Sequence, residues 1–249
     1  MPDDNPFAPG ATAGSPFDEV DISPVPIEPE AVIRRCIELI KAQPGLMVGV
    51  CVLSAVPGVL FDAGRRAAYF AMTDLDAFEA GSAVAWMVFA ATWTIEPLVG
   101  CFLTLGLLRI FLNAVYGQPA HLSMLVGEVE LLPAAIVTYL LVGLATGAGL
   151  LLFIVPGIAI AIAMAFAVHL QLDRNLGVLE SLTASYELTD GHKGNLFGTM
   201  LLIGLVLGVL SCFTFGLASA LTPPLLTLVS VVLYQSVTHL AETKRWDAG

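Results

Sequence analysis

Four long stretches of this chain carry almost no charge, and this feature limits its fold more than any other. Residues 42–61, 131–172 and 196–241 contain no Asp, Glu, Lys or Arg, and residues 80–108 contain only Glu96. A helix needs about 20 apolar residues to cross a bilayer, because each residue adds about 1.5 Å. The last two stretches are each about twice that length, so each predicts a hairpin of two membrane-spanning helices.

Turn signals fall near the middle of both long stretches, at Pro156-Gly157 and at Pro223-Pro224. The sequence therefore predicts an all-α, polytopic integral membrane protein with six transmembrane helices arranged as three hairpins. The predicted spans lie at about 45–62, 82–108, 132–153, 156–172, 196–217 and 222–240. Together they place a six-helix membrane domain at residues 30–241, followed by a short C-terminal tail at 242–249.

Composition agrees with a membrane protein. Apolar residues make up 57% of the chain and the mean hydropathy is +0.86, whereas soluble domains contain about 45–50% apolar residues. These values exclude a soluble globular enzyme, a disordered protein and a nucleic-acid-binding protein. The net charge of −11 is partly a property of the N-terminus, where seven acidic residues precede the first Lys or Arg.

Residues 1–29 contain seven prolines and no extended apolar run. They predict a disordered, acidic, Pro-rich tail, because too little apolar surface is present to offset the loss of chain entropy. Acidic residues stand where a signal peptide would be basic, and no apolar segment appears before Gly45. We therefore expect no cleavable signal peptide, with the first span directing insertion.

Basic residues predict the orientation. With the N-terminus inside, eight Lys and Arg residues lie in inside segments, and only Arg65 and Arg66 lie in an outside loop. The positive-inside rule then places both termini in the cytoplasm of a multi-pass protein of the cytoplasmic (inner) membrane. Trp86 and Tyr234 are predicted as anchors at the membrane surface.

A short, more polar segment precedes each predicted hairpin on the cytoplasmic side, at residues 30–43, 118–130 and 177–189. Apolar residues recur at helical spacing in each segment, as Ile33, Ile37 and Ile40 do in the first. The three segments therefore predict interfacial helices that lie along the membrane.

Two runs carry a resemblance to a known family. Residues 150–160 read LLLFIVPGIAI, and residues 175–191 read NLGVLESLTASYELTDG. This pattern resembles the bacterial glycerophosphoryl diester phosphodiesterase membrane-domain family and related polytopic proteins of unknown function. Residues 118–125 are similar to the family's stretch before its third span, and the resemblance covers roughly residues 30–240. It implies a six-helix membrane domain without the catalytic diesterase domain.

Glu96 is the strongest candidate for a functional residue within the predicted spans. It lies within a predicted span and is followed by Pro97, which cannot donate a hydrogen bond to the carbonyl of Trp93. A charge at the bilayer centre costs on the order of 3 kcal/mol, so such residues are usually functional or paired. Glu96 and Pro97 therefore predict either a proton or cation site inside the bundle, or a protonated acid bonded to a neighbouring helix.

His169 is a further ionisable residue within a predicted span. It shares a helical face with Gly157, Ala161 and Ala165, and this small-residue stripe predicts a close helix contact. The alternatives are a proton pair with Glu96 or, with more weight, a single histidine held by its own hydrogen bond near the cytoplasmic end.

Several small or polar residues favour structural roles. Pro156 and Gly157 predict a hinge between two spans. Two Gly-x3-Gly pairs predict helix packing within the monomer, and a dimerisation face is the alternative. The pairs are Gly143 with Gly147 and Gly204 with Gly208. Ser181 and Ser185 are expected to cap or pack their surface helix.

The four cysteines, Cys36, Cys51, Cys101 and Cys212, lack CxxC spacing and predict buried structural thiols. No metal-ligand spacing or cofactor motif occurs, so we expect neither a metal nor a cofactor.

These patterns favour a non-enzymatic membrane protein that organises or partners other membrane components. The expected partners are the lipid bilayer, other membrane proteins or further copies of the chain, and no nucleic acid. One alternative is a transporter or channel with a midplane site at Glu96. A weaker alternative is a lipid-acting enzyme, which would need convergent polar groups at the cytoplasmic face.

Overall fold

A computed structural model describes residues 23–73, 81–214 and 221–247, and all regular structure in these ranges is helical. The elements in chain order are α1 (Pro29–Ala42), α2 (Pro44–Thr73), α3 (Gly81–Val115), a short 3-10 helix (Leu122–Val126), α4 (Leu132–Leu152), α5 (Ile154–Ala163), α6 (Ala167–Arg174), α7 (Val178–Thr189), α8 (Lys193–Phe213) and α9 (Thr222–Asp247). The all-α class predicted from the sequence is confirmed.

Six helical segments of the described chain are long and apolar enough to cross a membrane, as predicted. They are Pro44–Phe70, Trp86–Val115, Leu132–Leu152, Ile154–Arg174, Lys193–Phe213 and Thr222–Ala241. The first two differ most from the prediction, because each continues about two turns beyond its expected end. Residues 1–22 and 248–249 of the two predicted tails lie outside the described residues.

Both turn signals lie in the first turns of helices, where the predicted spans at 156–172 and 222–240 also begin. The chain turns between α4 and α5 at the single extended residue Phe153, and Pro156 and Gly157 lie inside the first turns of α5. Pro is tolerated there because the first amides of a helix have no intrahelical acceptor. Similarly, α8 ends at Phe213, and Pro223 and Pro224 belong to the first turn of α9.

The predicted outside loop at Arg65 and Arg66 is corrected. Both residues lie inside α2, which runs without interruption to Thr73. The uncharged stretch ends at Phe61, but two helical ion pairs stabilise the helix where it continues through the charged residues that follow. Arg65 and Arg66 each pair with Asp62 one turn earlier, at 3.7 Å and 2.8 Å.

The fourth candidate span is broken. Its two halves, α5 and α6, are separated by a turn at residues 164–166. The stripe of Gly157, Ala161, Ala165 and His169 therefore does not run along one continuous helix. After the break, α6 ends at Asn175, whose left-handed backbone (φ 51°) redirects the chain into α7.

If all six candidate spans cross a bilayer, α1, the 3-10 helix and α7 lie on the same side of it, because an even number of spans separates them. We call the surface formed by these three elements the connecting face. The largest buried side chains also lie towards this end of the bundle, in α1, the last turns of α3, α6 and the middle of α9, for example Leu39, Phe111, Phe166 and Tyr234.

The connecting elements differ in detail from the predicted interfacial helices. In α1, Val32, Cys36 and Leu39 are buried against the bundle, whereas Ile33 and Ile37 of the expected apolar stripe are exposed. The segment 118–130 forms only the short 3-10 helix, with Leu125 buried. Ahead of α1, Ile27 is buried and the carbonyl of Ser23 accepts a hydrogen bond from Arg35, so ordered packing begins before residue 30.

Close glycine packing occurs at different positions from those predicted. A Cβ added at Gly143, Gly147, Gly204 or Gly208 would meet nothing within 4 Å, so these residues make no tight contact within the described chain. A Cβ at Gly149 would instead lie 2.8 Å from the Cα of Gly157. The tight helix crossing therefore joins α4 to α5, directly beside their turn.

Replacement of Gly149 tests this crossing. Gly149→Ala should lower the free energy of unfolding by about 1–3 kcal/mol, because the added methyl group meets backbone that cannot move aside freely. Gly143→Ala is the matched control on the same helix, and it should leave stability unchanged or raise it by less than about 1 kcal/mol. Unfolding of both variants in detergent, followed by circular dichroism, measures the difference. Equal losses in the two variants would contradict the crossing.

Candidate functional site

Glu96 forms an ion pair with Arg65 across the α2–α3 helix pair. The guanidinium Nη1 of Arg65 donates to the Oε2 of Glu96, and both side chains are about one-third exposed. Glu96 lies about one-third of the way along the candidate span Trp86–Val115, closer to its beginning than the predicted mid-span position. Pro97 lies inside α3, which stays helical through it.

This pair changes the chemistry expected of Glu96. A lone carboxylate in a span would attract a proton or a cation, but a guanidinium already supplies the opposite charge. The Glu96–His169 pair, the less favoured alternative, does not form, because His169 bonds to α9 instead. Charge compensation within a helix pair is therefore the role that the contacts of Glu96 support.

His169 belongs to a buried polar cluster centred on α6. Its Nε2 lies 3.0 Å from the Oγ of Ser230, and that hydroxyl donates its only proton to the carbonyl of Thr227. With the Ser230 proton assigned to that carbonyl, Ser230 accepts from His169, and the ring proton is assigned to Nε2. The rings of Phe166 and Tyr234 pack beside it, each with its centroid 5.5 Å from that of His169 and 5.8 Å from the other.

Asp173 lies one turn after His169 on the same side of α6. Its Oδ2 accepts a hydrogen bond of 2.6 Å from the hydroxyl of Tyr234 and a longer one of 3.5 Å from Tyr116. Tyr234 is fully buried and is not the surface anchor that the sequence predicted. Two rungs, His169–Ser230 and Asp173–Tyr234, thus join α6 to α9 with the same four-residue spacing on both helices.

The opposite side of α6 contacts α4. Gln171, which is 1% exposed, donates from Nε2 to the Oγ1 of Thr138 at 2.6 Å. We call His169, Gln171, Asp173 and their partners on α4, α9 and Tyr116 the α6 polar cluster. The cluster fixes a helix of only eight residues against three neighbouring parts of the chain.

Two hydroxyl groups of α7 form hydrogen bonds with the backbone at the turn between α5 and α6. The Oγ of Ser185 donates to the carbonyl of Ala163 at 2.8 Å and accepts from the amide of Phe166 at 3.2 Å. Thr189, one turn later, donates to the carbonyl of Ser185 at 3.0 Å and lies 3.4 Å from that of Ala163. The expectation that Ser185 packs its surface helix is confirmed. Its hydroxyl forms hydrogen bonds with backbone groups that have no intrahelical partner, because the helix is broken there.

Ser185→Ala tests this role. The variant removes one acceptor and one donor from buried backbone groups, so we expect a loss of about 1–3 kcal/mol in the free energy of unfolding. Thr183→Ala is the matched control on α7, because Thr183 is exposed and bonds only to the carbonyl of Leu179 in its own helix. Denaturation in detergent measures both variants. A Thr183 variant as unstable as the Ser185 variant would contradict the proposed contact.

The 3-10 segment is clamped to α3 by a second ion pair. Arg109 donates from Nε to Glu128 at 2.6 Å, and Asn113 donates to the carbonyl of Pro119 at 3.4 Å. A Cβ at Gly106 would lie 2.2 Å from the carbonyl oxygen of Leu125, so only glycine permits this approach. Glu128 is therefore held by Arg109.

The cysteines and acidic residues form no recognisable metal centre. All four cysteines are free, and no group of three or more His, Cys, Asp or Glu side chains in the described ranges could hold a metal ion. Only Cys36 is buried, and its burial raises the pKa of the thiol to about 12, so it stays protonated and unreactive at neutral pH. Cys51 and Cys101 are half-buried and Cys212 is exposed, unlike the buried thiols predicted.

No protein-family model, curated protein or solved structure matches this chain. The resemblance to the diester phosphodiesterase membrane-domain family therefore stays a prediction.

A double-mutant cycle measures the Arg65–Glu96 pair. Arg65→Met and Glu96→Gln should each destabilise the protein, and the double variant should lose less than the sum, with a coupling of about 0.5–3 kcal/mol. Arg66→Met is the control, because the side chain of Arg66 is 75% exposed and pairs only with Asp62 among the ion pairs described. Coupling between Arg66 and Glu96 of the same size, or additive losses at Arg65 and Glu96, would contradict the pair.

Proposed function

We propose that this chain is a non-enzymatic, multi-pass protein of the cell inner membrane that organises or partners other membrane components. Its termini lie in the cytoplasm, on the side of the connecting face. Eight of the ten basic residues lie on that side, which supports this orientation through the positive-inside rule. The remaining two, Arg65 and Arg66, pair with acidic residues of α2 and α3.

The observation that carries the proposal is the exposed apolar surface of the connecting face. Each of its three elements exposes large apolar side chains beside charged ones: Ile33 and Ile37 in α1, Leu122 and Val126 in the 3-10 helix, and Leu179 and Tyr186 in α7. Aromatic and aliphatic residues surrounded by charges are typical of surfaces that bind proteins or membranes.

The polar contacts favour this function over transport. Transport through a midplane site requires a polar group that exchanges its partner with water or a substrate. Glu96 is paired with Arg65, and the His169 and Asp173 side chains are bonded to α9. A lipid-acting enzyme would need convergent free polar groups, whereas Glu128 and Asp190 are held by Arg109 and Lys193.

Site-specific photo-crosslinking in native membranes tests the proposal. A photoreactive amino acid replaces Leu179, which is 73% exposed on α7, and in a control chain it replaces Leu151, which is 90% exposed at the far end of α4. We expect protein adducts of discrete mass from position 179 and lipid adducts alone from position 151. The same labelling pattern at both positions would contradict a specific partner surface.

Reconstitution distinguishes the transporter alternative. The full chain in liposomes containing a pH-sensitive dye should pass protons no faster than protein-free liposomes. A proton flux that Glu96→Gln abolishes, with folding unchanged, would replace the proposed function by transport at Glu96.

A further inference from the structure

An apolar groove of about 400 Å³ lies between α2 and α9, and every described residue that lines it is apolar. Its floor is buried and includes Met47, Phe111 and Leu228. Its rim is open, since Val48 and Val52 are 63% and 59% exposed. Two candidate spans form its walls, so the groove opens towards the hydrocarbon of the bilayer.

The length of the groove matches one leaflet. The lining residues of α2 run along one helical face from Pro44 to Ala55, a rise of about 16 Å. The hydrocarbon core of a bilayer is about 30 Å thick, so one leaflet contributes about 15 Å. The groove also includes Ile40 of α1, which places its shallow end at the level of the connecting face.

A helix would lie only partly within this groove. A helix with its side chains is about 10 Å wide, so a 16 Å length of it occupies on the order of 1,200 Å³. The groove holds about a third of that volume. A single extended hydrocarbon chain is narrower than a helix and needs no hydrogen-bond partners, which suits walls without polar side chains.

A lysine adjoins a groove residue in the chain. Lys41 follows Ile40 in the last turn of α1 and is exposed. An ammonium at the membrane surface attracts the phosphate of a lipid headgroup. The shallow end of the groove thus has a positive charge adjacent to it in the sequence.

We propose that this groove binds one acyl chain of a phospholipid from the leaflet on the side of the connecting face, with the phosphate near Lys41. The inference needs only that α2 and α9 cross the bilayer, and it does not depend on the proposed partner function. It assigns a lipid-binding site to a part of the chain in which neither Glu96 nor the α6 polar cluster takes part.

The test uses the full chain in liposomes with a small fraction of phosphatidylglycerol that carries a diazirine at the end of one acyl chain. After illumination and proteolysis, mass spectrometry maps the adducts. We expect them to concentrate on residues 44–55 and 221–228, well above the level on the exposed face of α8 around Leu205 and Val206. Uniform labelling of all lipid-exposed helices would overturn the proposal.

Two matched variants distinguish lipid binding in the groove from general contact between lipid and α2. Val52→Trp narrows the groove at its rim, and Val59→Trp lies two turns further along the same face of α2, outside the groove, with equal exposure (59% and 60%). We expect Val52→Trp to reduce the groove adducts at least about tenfold, because a bulky ring takes the place of the chain. Val59→Trp should leave them unchanged, and equal adduct yields in the two variants would overturn the proposal.

A second pair of variants and a label on Cys51 test the groove independently of Val52→Trp. If Val52→Trp fails to fold, Ala55→Phe fills the same groove from its deep end, with Val56→Phe as the adjacent control outside it. A photoreactive label on Cys51, with the other cysteines replaced, should form lipid adducts. Trapping of a second copy of the chain at Cys51 would show a protein occupant and overturn the proposal.

Discussion

Hydrogen bonding within the α6 polar cluster is the interaction on which the packing of this bundle depends most. Apolar helices gain little by leaving lipid for one another, because lipid tails are as apolar as leucine. An unsatisfied polar group in hydrocarbon costs several kcal/mol. His169, Gln171 and Asp173 each specify a neighbour through one polar atom, while His169 Nδ1, Gln171 Oε1 and Asp173 Oδ1 are buried without a hydrogen-bond partner in the described chain. Their bonds join α6 to α4 and α9, and the bond from Tyr116 adds the end of α3. The cluster thereby selects one arrangement among many with similar apolar contacts.

The six spans could be predicted because the signal is local. Length without charge is a property of each segment alone, and the four stretches required no knowledge of their neighbours. The broken span could not be predicted in this way. The turn at residues 164–166 is stabilised by Ser185, about twenty residues further along the chain, whose hydroxyl satisfies the open backbone groups. The turn at Phe153 likewise depends on the contact of Gly149 with Gly157.

The sequence was sufficient to predict which residues form the candidate site, but not which of them contact each other. Glu96 stands out as a charge in an apolar stretch, but counting Arg65 as a loop residue hid its partner. A signal for the pair was present, because Asp62, Arg65 and Arg66 have the spacing of helical ion pairs and favour continuation of α2. The matched four-residue spacings of His169 with Asp173 and of Ser230 with Tyr234 could likewise have indicated two facing helices.

The connecting face and the lipid groove share α1, and this has a thermodynamic consequence. Ile37 is exposed on the connecting face, while Ile40, one turn later on the same helix, lines the groove. A partner that shifts α1 therefore changes the shallow end of the groove and with it the affinity for lipid. Linkage requires the converse, so a lipid in the groove changes the affinity of that partner by the same factor. The short distance along α1 makes this coupling mechanical, since a helix of fourteen residues moves as one rigid element.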